Sequence, residues 1–117
     1  SKKIPWIPFS DENVAALKGN TIFVDFTADW CLTCKVNERT ILEKERVRKA
    51  MAELDVVPLK ADWTRKDDEI GAWLKRFGRA GVPFYLVLPA DPAKQAIALP
   101  DVITQDIVVS ALEEATQ

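Results

Sequence analysis

The sequence predicts an α/β fold with a central mixed sheet and helices on both of its faces. Three apolar segments of strand length alternate with helical patterns, and a turn and a returning strand follow the third. The chain has 117 residues, of which 48% are hydrophobic and 29% charged, as expected for one domain with one core. We therefore expect residues 1–117 to form a single domain. Residues 1–20 would be an N-terminal extension and first helix, and residues 21–117 the core.

The first half of the chain predicts a helix, a buried strand and two further helical stretches. Ser10 can begin the first helix, and Gly19 can end it. Residues 21–27 (TIFVDFT) are almost continuously apolar, as in a strand buried on both faces, and Asp25 is the exception. Residues 35–39 have helix-forming composition. A second helical stretch has apolar residues at i, i+3, i+4 and i+7: Val47, Ala50, Met51 and Leu54.

The middle of the chain predicts a second strand and a third helix. Residues 56–61 resemble another buried strand. Thr64 can cap the helix that follows, with Asp67 at its third position, and Gly78 suits its end. The apolar face of this helix has the same spacing: Ile70, Trp73, Leu74 and Phe77.

The last part of the chain predicts a hairpin and a final helix. Residues 84–88 form the third strand, residues 89–92 a turn, and residues 95–99 a returning strand. Thr104 opens the last helix, whose apolar side comprises Val108, Ala111, Leu112 and Ala115. The predicted order is β-α-β-α-β-β-α after the N-terminal extension.

Charge and composition exclude several classes of function. The formal net charge is −2, from 16 basic and 18 acidic residues, which gives no reason to expect nucleic-acid binding. The chain has no histidine, so histidine-based catalysis and histidine-containing metal sites are excluded. No apolar run approaches the roughly 20 residues of a membrane span. The first residues resemble a cut end, so we expect an excised domain.

Cys31 and Cys34 are the only cysteines, and three kinds of site compete for them. A zinc site needs four ligands, usually from two such pairs. A structural disulfide closing so small a ring restrains the unfolded chain little. The third possibility is a redox dithiol, which the position of the pair between a buried strand and a helix favours. There Cys31 would face free backbone N–H groups that stabilise a thiolate, and Cys34 would lie one turn into the helix.

Two acidic residues and a Gly-Val-Pro segment complete the candidate site. Asp25 interrupts an apolar strand, and Glu38 lies four residues after Cys34 on the same helix face. Carboxyl groups near a dithiol can hold or relay the proton that moves during thiol exchange. The alternatives are a hydrogen-bonded core residue for Asp25 and a solvated helix residue for Glu38. Pro83 either punctuates the start of a strand or forms a cis bond opposite the cysteines.

These residues resemble a known family. Residues 24–38 (VDFTADWCLTCKVNE) and 81–83 (GVP) resemble the thioredoxin superfamily, although Leu32-Thr33 stands where thioredoxin has Gly-Pro. The longer string is similar to the C-terminal domain of the DsbD family of transmembrane thiol–disulfide interchange proteins. Three later stretches resemble its copper-sensitivity-suppressor branch, ScsB: residues 61–64, 77–79 and 99–102.

The resemblance implies a thioredoxin-like fold and a role for each site residue. Cys31 would be the attacking cysteine and Cys34 the resolving one. Asp25 and Glu38 would tune the attacking thiol. The Val82–Pro83 bond would be cis and lie against the dithiol. Trp30 would shape the docking surface beside the cysteines, its alternative being ordinary hydrophobic packing.

The resemblance also implies a reductant relay in the periplasm, as a domain of an inner-membrane protein. Electrons would come from a transmembrane domain of the same polypeptide. They would go to an N-terminal periplasmic domain or a periplasmic thioredoxin-like protein. We expect no cofactor besides the Cys31–Cys34 disulfide, no metal, no nucleic acid, and a monomer. Two alternatives stay open: a free-standing thioredoxin-like reductase, and a non-catalytic binding module on the same scaffold.

Overall fold

The computed structural model describes residues 3–117. Its elements in chain order are β1 (Ile7–Pro8), α1 (Asp11–Ala16), β2 (Ile22–Thr27), α2 (Leu32–Asn37), a π-helical turn (Glu38–Leu42, hereafter the π turn), α3 (Glu45–Glu53), β3 (Val57–Asp62), α4 (Asp68–Arg76), β4 (Phe84–Leu88), β5 (Ile97–Ala98) and α5 (Gln105–Ala115). None of the helices in this part of the chain is long and apolar enough to cross a membrane.

The five strands form one mixed sheet in the order β1-β3-β2-β4-β5. The pairs β1–β3 and β3–β2 are parallel, whereas β2–β4 and β4–β5 are antiparallel. The predicted α/β fold with a mixed sheet is therefore confirmed. Strand β1 was not predicted, because two residues carry no periodic pattern. It belongs to the segment that the sequence suggested as an extension, and Ile7 pairs there with Leu59.

Helices cover both faces of the sheet, which explains why β2 is apolar along nearly its whole length. Alternate residues of a strand point to opposite faces. Phe23 therefore packs with residues of α3 and α5, whereas Val24 and Phe26 pack with residues of α1 and α4. Asp25 shares the face of Phe23, so this carboxyl group lies inside the layer between the sheet and the α3–α5 side.

Most predicted helix starts agree with the structure, but the predicted start of α4 is wrong. Ser10 and Thr104 cap α1 and α5 through their side chains, as expected. For α4 the cap is Asp67, whose carboxylate accepts a hydrogen bond from the Ile70 N–H at 3.2 Å. Thr64 is used otherwise: its hydroxyl accepts from the Asp29 N–H at 2.8 Å and donates to the Asp62 carboxylate.

Candidate active site

The two cysteines lie where β2 gives way to α2. Cys31 has extended backbone dihedrals and is the N-cap of α2, and its sulfur accepts a hydrogen bond from the Cys34 N–H at 3.1 Å. The cysteines form a disulfide with their Cα atoms 5.3 Å apart. The helix thus begins at Leu32, directly after Cys31, as the expected position of Cys34 one turn into the helix requires, and the Cys31 sulfur satisfies one of its free N–H groups.

The two cysteines differ in their exposure to solvent. Cys31 is 7% exposed, whereas Cys34 is fully buried. Both pack against Ala28 and Val82. The Val82–Pro83 bond is cis, as the resemblance implied, and Val82 lies against the disulfide. An incoming molecule can therefore reach Cys31 more readily than Cys34.

Exposed apolar side chains surround Cys31. Trp30 is 52% exposed and Leu32 77% exposed, and Val36 follows one turn later on α2. Large apolar side chains exposed as a group mark interaction surfaces. We call these three residues, with Val82 and Pro83, the docking surface.

The loop after β3 holds Trp30 in place. The Trp30 indole N–H donates to the Thr64 carbonyl at 3.0 Å, and its ring centroid lies 6.3 Å from that of Trp63. The Lys66 ammonium lies 5.2 Å from the centroid of the Trp30 ring. Sequence reasoning gave Trp63, Thr64 and Lys66 no part in the site, because contacts between two loops leave no periodic signal.

Asp25 is fully buried in the middle of β2. It pairs in register with Lys60 of β3 and Tyr85 of β4. Neither carboxyl oxygen has a hydrogen-bond partner within residues 3–117. Burial raises the pKa of Asp25 well above its usual value, and the negative charge of Glu38 raises it further, although Lys60 and Lys35 act in the opposite direction.

Glu38 is the first residue of the π turn and points inward rather than into solvent. Its side chain is 15% exposed, and its Oε2 atom is buried without a hydrogen-bond partner in the described residues. Its Oε1 atom lies 3.9 Å from the ammonium of Lys35, which is also 3.8 Å from Asp29. The structure therefore brings the two predicted carboxyl groups close enough for the charge of Glu38 to act on Asp25, and the positive charge of Lys35 acts on both.

The π turn distinguishes this arrangement from the regular helix that the sequence suggested. The Glu43 N–H donates to the Glu38 carbonyl, five residues earlier, at 2.9 Å. The wider turn begins at Glu38 itself, so the position of this side chain depends on where α2 ends. Within residues 3–117, no group of three or more histidine, cysteine or acidic residues is placed to bind a metal ion.

Sequence comparison identifies the class to which this site belongs. The Thioredoxin-like family matches residues 6–90. Thiol:disulfide interchange protein DsbD of Ralstonia nicotianae is 45% identical over 69 residues, which are 59% of this chain and 11% of that protein. DsbD of Yersinia enterocolitica is 34% identical over 89 residues, which are 76% of this chain and 15% of that protein. The chain thus spans less than a sixth of these relatives.

Comparison with solved structures also identifies a DsbD domain as similar to this chain. The oxidised C-terminal domain of Neisseria meningitidis DsbD superposes with a TM-score of 0.70 and 25% identity, covering 93% of this chain and 99% of that one. The match covers nearly all of a DsbD domain whose structure has been solved on its own. The chain therefore belongs to the thioredoxin-like family, and within that family it matches the C-terminal domain of DsbD proteins.

Proposed function

We propose that this chain is a thiol–disulfide oxidoreductase domain that reduces a partner's disulfide through Cys31 and Cys34. The observation that carries the proposal is the unequal pair of sulfurs. Cys31 is accessible at the start of α2 and accepts a hydrogen bond from a backbone N–H, whereas Cys34 is buried one turn later. An accessible sulfur with hydrogen-bond support suits attack, and a shielded neighbour suits resolution.

The first step forms a mixed disulfide. In the reduced domain, the Cys31 thiolate attacks one sulfur of the partner's disulfide. A bond forms between Cys31 and that sulfur, the partner's S–S bond breaks, and the second partner sulfur leaves as a thiolate that takes up a proton. The backbone N–H of Cys34 is already directed at the Cys31 sulfur, which stabilises negative charge there.

The second step releases the product. Cys34 loses its proton and attacks the Cys31 sulfur, so the Cys31–Cys34 bond forms and the mixed disulfide breaks. The remaining partner sulfur leaves as a thiolate and is protonated. The partner gains two electrons and two protons, and the domain loses them. Asp25, buried on the neighbouring strand, is a suitable acceptor for the Cys34 proton because its raised pKa lies closer to that of a thiol.

We expect both carboxyl groups to restrain the reactivity of Cys31. Glu38→Gln removes a nearby negative charge, so the reduced Cys31 thiol should react with iodoacetamide roughly threefold to tenfold faster at neutral pH. Asp25→Asn should have the larger effect at high pH, because burial keeps the wild-type carboxyl protonated at lower pH. The measurement is the rate of alkylation between pH 6 and pH 10.

Asp29→Asn is the matched control for these variants. Asp29 also lies near the site and contacts Lys35, but its side chain is 77% exposed, so solvent screens its charge. It should leave the alkylation profile nearly unchanged. If neither Asp25→Asn nor Glu38→Gln alters the profile, the carboxyl groups do not tune Cys31.

The docking surface around Cys31 would receive the partner. Trp30, Leu32 and Val36 offer exposed apolar contact area, and Val82 packs against the cysteines. Exposed aromatic and aliphatic side chains around one reactive sulfur suit a partner whose disulfide is flanked by apolar residues.

The similarity to DsbD supports a place in an electron relay. We propose that residues 1–117 act as one periplasmic domain of an inner-membrane protein. A transmembrane domain of the same polypeptide would reduce the Cys31–Cys34 disulfide. The reduced domain would then pass its electrons to an N-terminal periplasmic domain or to a periplasmic thioredoxin-like protein. Membership of the copper-linked ScsB branch remains a prediction from the sequence.

The reduction potential of the Cys31–Cys34 couple tests the direction of electron flow. Equilibration with glutathione or dithiothreitol should give a value closer to the thioredoxin potential, about −270 mV, than to that of the oxidant DsbA, about −120 mV. A value near the DsbA end would reverse the assignment and make the domain a disulfide donor. A domain whose cysteines do not exchange with either buffer would favour the non-catalytic binding module.

A further inference from the structure

A tyrosine faces the buried carboxyl group from the neighbouring strand. Tyr85 is almost fully buried on β4 and pairs in register with Asp25 across the antiparallel β2–β4 ladder. Residues paired in this way project from the same face of the sheet. The Tyr85 hydroxyl thus lies in the layer that holds Asp25, and the thiol-exchange mechanism gives it no role.

The Tyr85 hydroxyl is attached to the end of α2. It accepts a hydrogen bond from the Asn37 side-chain amide at 3.0 Å. Asn37 is the last residue of α2, and the next residue, Glu38, begins the π turn. This bond connects the helix end to the strand directly opposite Asp25. The bond therefore lies at the point where the helix widens.

We propose that Tyr85 and Asn37 are positioning residues that hold Glu38 in the buried layer beside Asp25. This role rests on the proposed function and adds to it the hydrogen bond that determines how strongly Glu38 raises the pKa of Asp25. Without the bond, the end of α2 loses its attachment to β4. The Glu38 side chain can then turn toward solvent. Water would hydrogen-bond its Oε2 atom, which is buried and has no hydrogen-bond partner in the described chain, so the exposed position has the lower free energy.

The charges around Asp25 determine what such a movement does. The charged groups that act on Asp25 are Glu38 from the π turn, Lys35 from α2 and Lys60 from β3. Tyr85 of β4 faces Asp25 in register, and the charge of Asp25 acts on its hydroxyl. Of the charged groups, Glu38 adds to the effect of burial and favours the protonated form, whereas the two lysines oppose it. Moving Glu38 away therefore removes a negative charge and makes Asp25 easier to ionise.

The hydroxyl itself stays protonated throughout the useful range. Burial raises the pKa of Tyr85, and the negative charge of Asp25 raises it further, although the hydrogen bond from Asn37 acts in the opposite direction. Tyr85 therefore does not titrate alongside the carboxyl groups. Any change caused by Tyr85→Phe reflects the lost hydrogen bond or the lost hydroxyl dipole, and a second variant separates the two.

The experiment is a carboxyl ¹³C NMR titration of Asp25 in the oxidised domain, which needs no turnover. We expect both Tyr85→Phe and Asn37→Leu to lower the pKa of Asp25 by at least about half a unit. The double variant should give no larger shift than either single variant, because the two side chains act through one bond. Asn13→Leu is the matched control. It also removes a hydrogen bond of an asparagine side chain, here from Asn13 of α1 to the Pro8 carbonyl.

Three outcomes would overturn the proposal. The pKa of Asp25 could be unchanged in both variants. It could rise in Tyr85→Phe and stay unchanged in Asn37→Leu, which would mean that the hydroxyl acts through its own dipole. It could also fall equally in Asn13→Leu, which would indicate that the loss of any comparable hydrogen bond in the domain lowers the pKa of Asp25. Reduction of a peptide disulfide by the wild-type domain is measured in parallel, so that failure of the enzymatic role is distinguished from failure of the positioning role.

Discussion

Reduced Cys34→Ala is expected to remain covalently attached to the molecule it attacks. The accessible Cys31 sulfur is unaltered, so the first exchange proceeds, but no second thiol remains to displace the product. With a peptide dimer joined by one disulfide, the variant should release one peptide thiol per domain and retain the other peptide. The wild-type domain should release both. Thiol counting and intact mass spectrometry measure the difference.

Cys31→Ala is the control for the order of attack. Cys34 is fully buried, so this variant should form the adduct far more slowly. Each substitution removes one sulfur from the small cluster of Ala28, Cys31, Cys34 and Val82, and circular dichroism should show that both variants are folded. An adduct that forms as fast on Cys34 as on Cys31 would contradict the assigned roles.

The unfolding free energy of the domain should fall as pH rises through the titration of Asp25. Burial raises the pKa of this carboxyl in the folded state, so the folded protein binds its proton more tightly than the unfolded chain does. The resulting stabilisation is complete below the unfolded value of about 3.9 and is lost as pH rises through the folded value. In that window the slope for one proton is about 1.4 kcal/mol per pH unit.

Asp25→Asn should remove this slope, because an amide does not ionise. Urea unfolding at several pH values between 4 and 9 measures it. Asp29→Asn makes the same chemical change at an exposed position four residues later and should keep the wild-type slope. A wild-type profile that is flat across this range, or one that Asp25→Asn leaves unaltered, would contradict the assignment to Asp25.

The sequence predicted the sheet and the cysteine site because both depend on local patterns. The unbroken apolar character of residues 21–27 anticipated β2, which is buried on both faces. Against that apolar background, the single carboxyl group of Asp25 is conspicuous in the sequence alone. Cys31 follows that strand within four residues and precedes a helical stretch, so the sequence alone places it at the start of the helix.

The remaining features depend on contacts between segments that are distant in sequence. Thr64 and Asp67 can both cap a helix, and only the engagement of Thr64 by the loop before Cys31 decides between them. A π turn has no compositional signature, so Glu38 could be placed on a face of a helix but not at the start of a wider turn. The bond between Asn37 and Tyr85 joins residues 48 positions apart, and no local pattern predicts it.

The two outermost strands have a consequence for how the domain meets other chains. Both β1 and β5 are two residues long, and β1 includes Pro8, which has no backbone N–H to offer. A long open edge invites another chain to add a strand, and such additions begin aggregation. With both edges this short, an extended chain has little backbone to pair with. Strand addition at either edge of this sheet is therefore disfavoured.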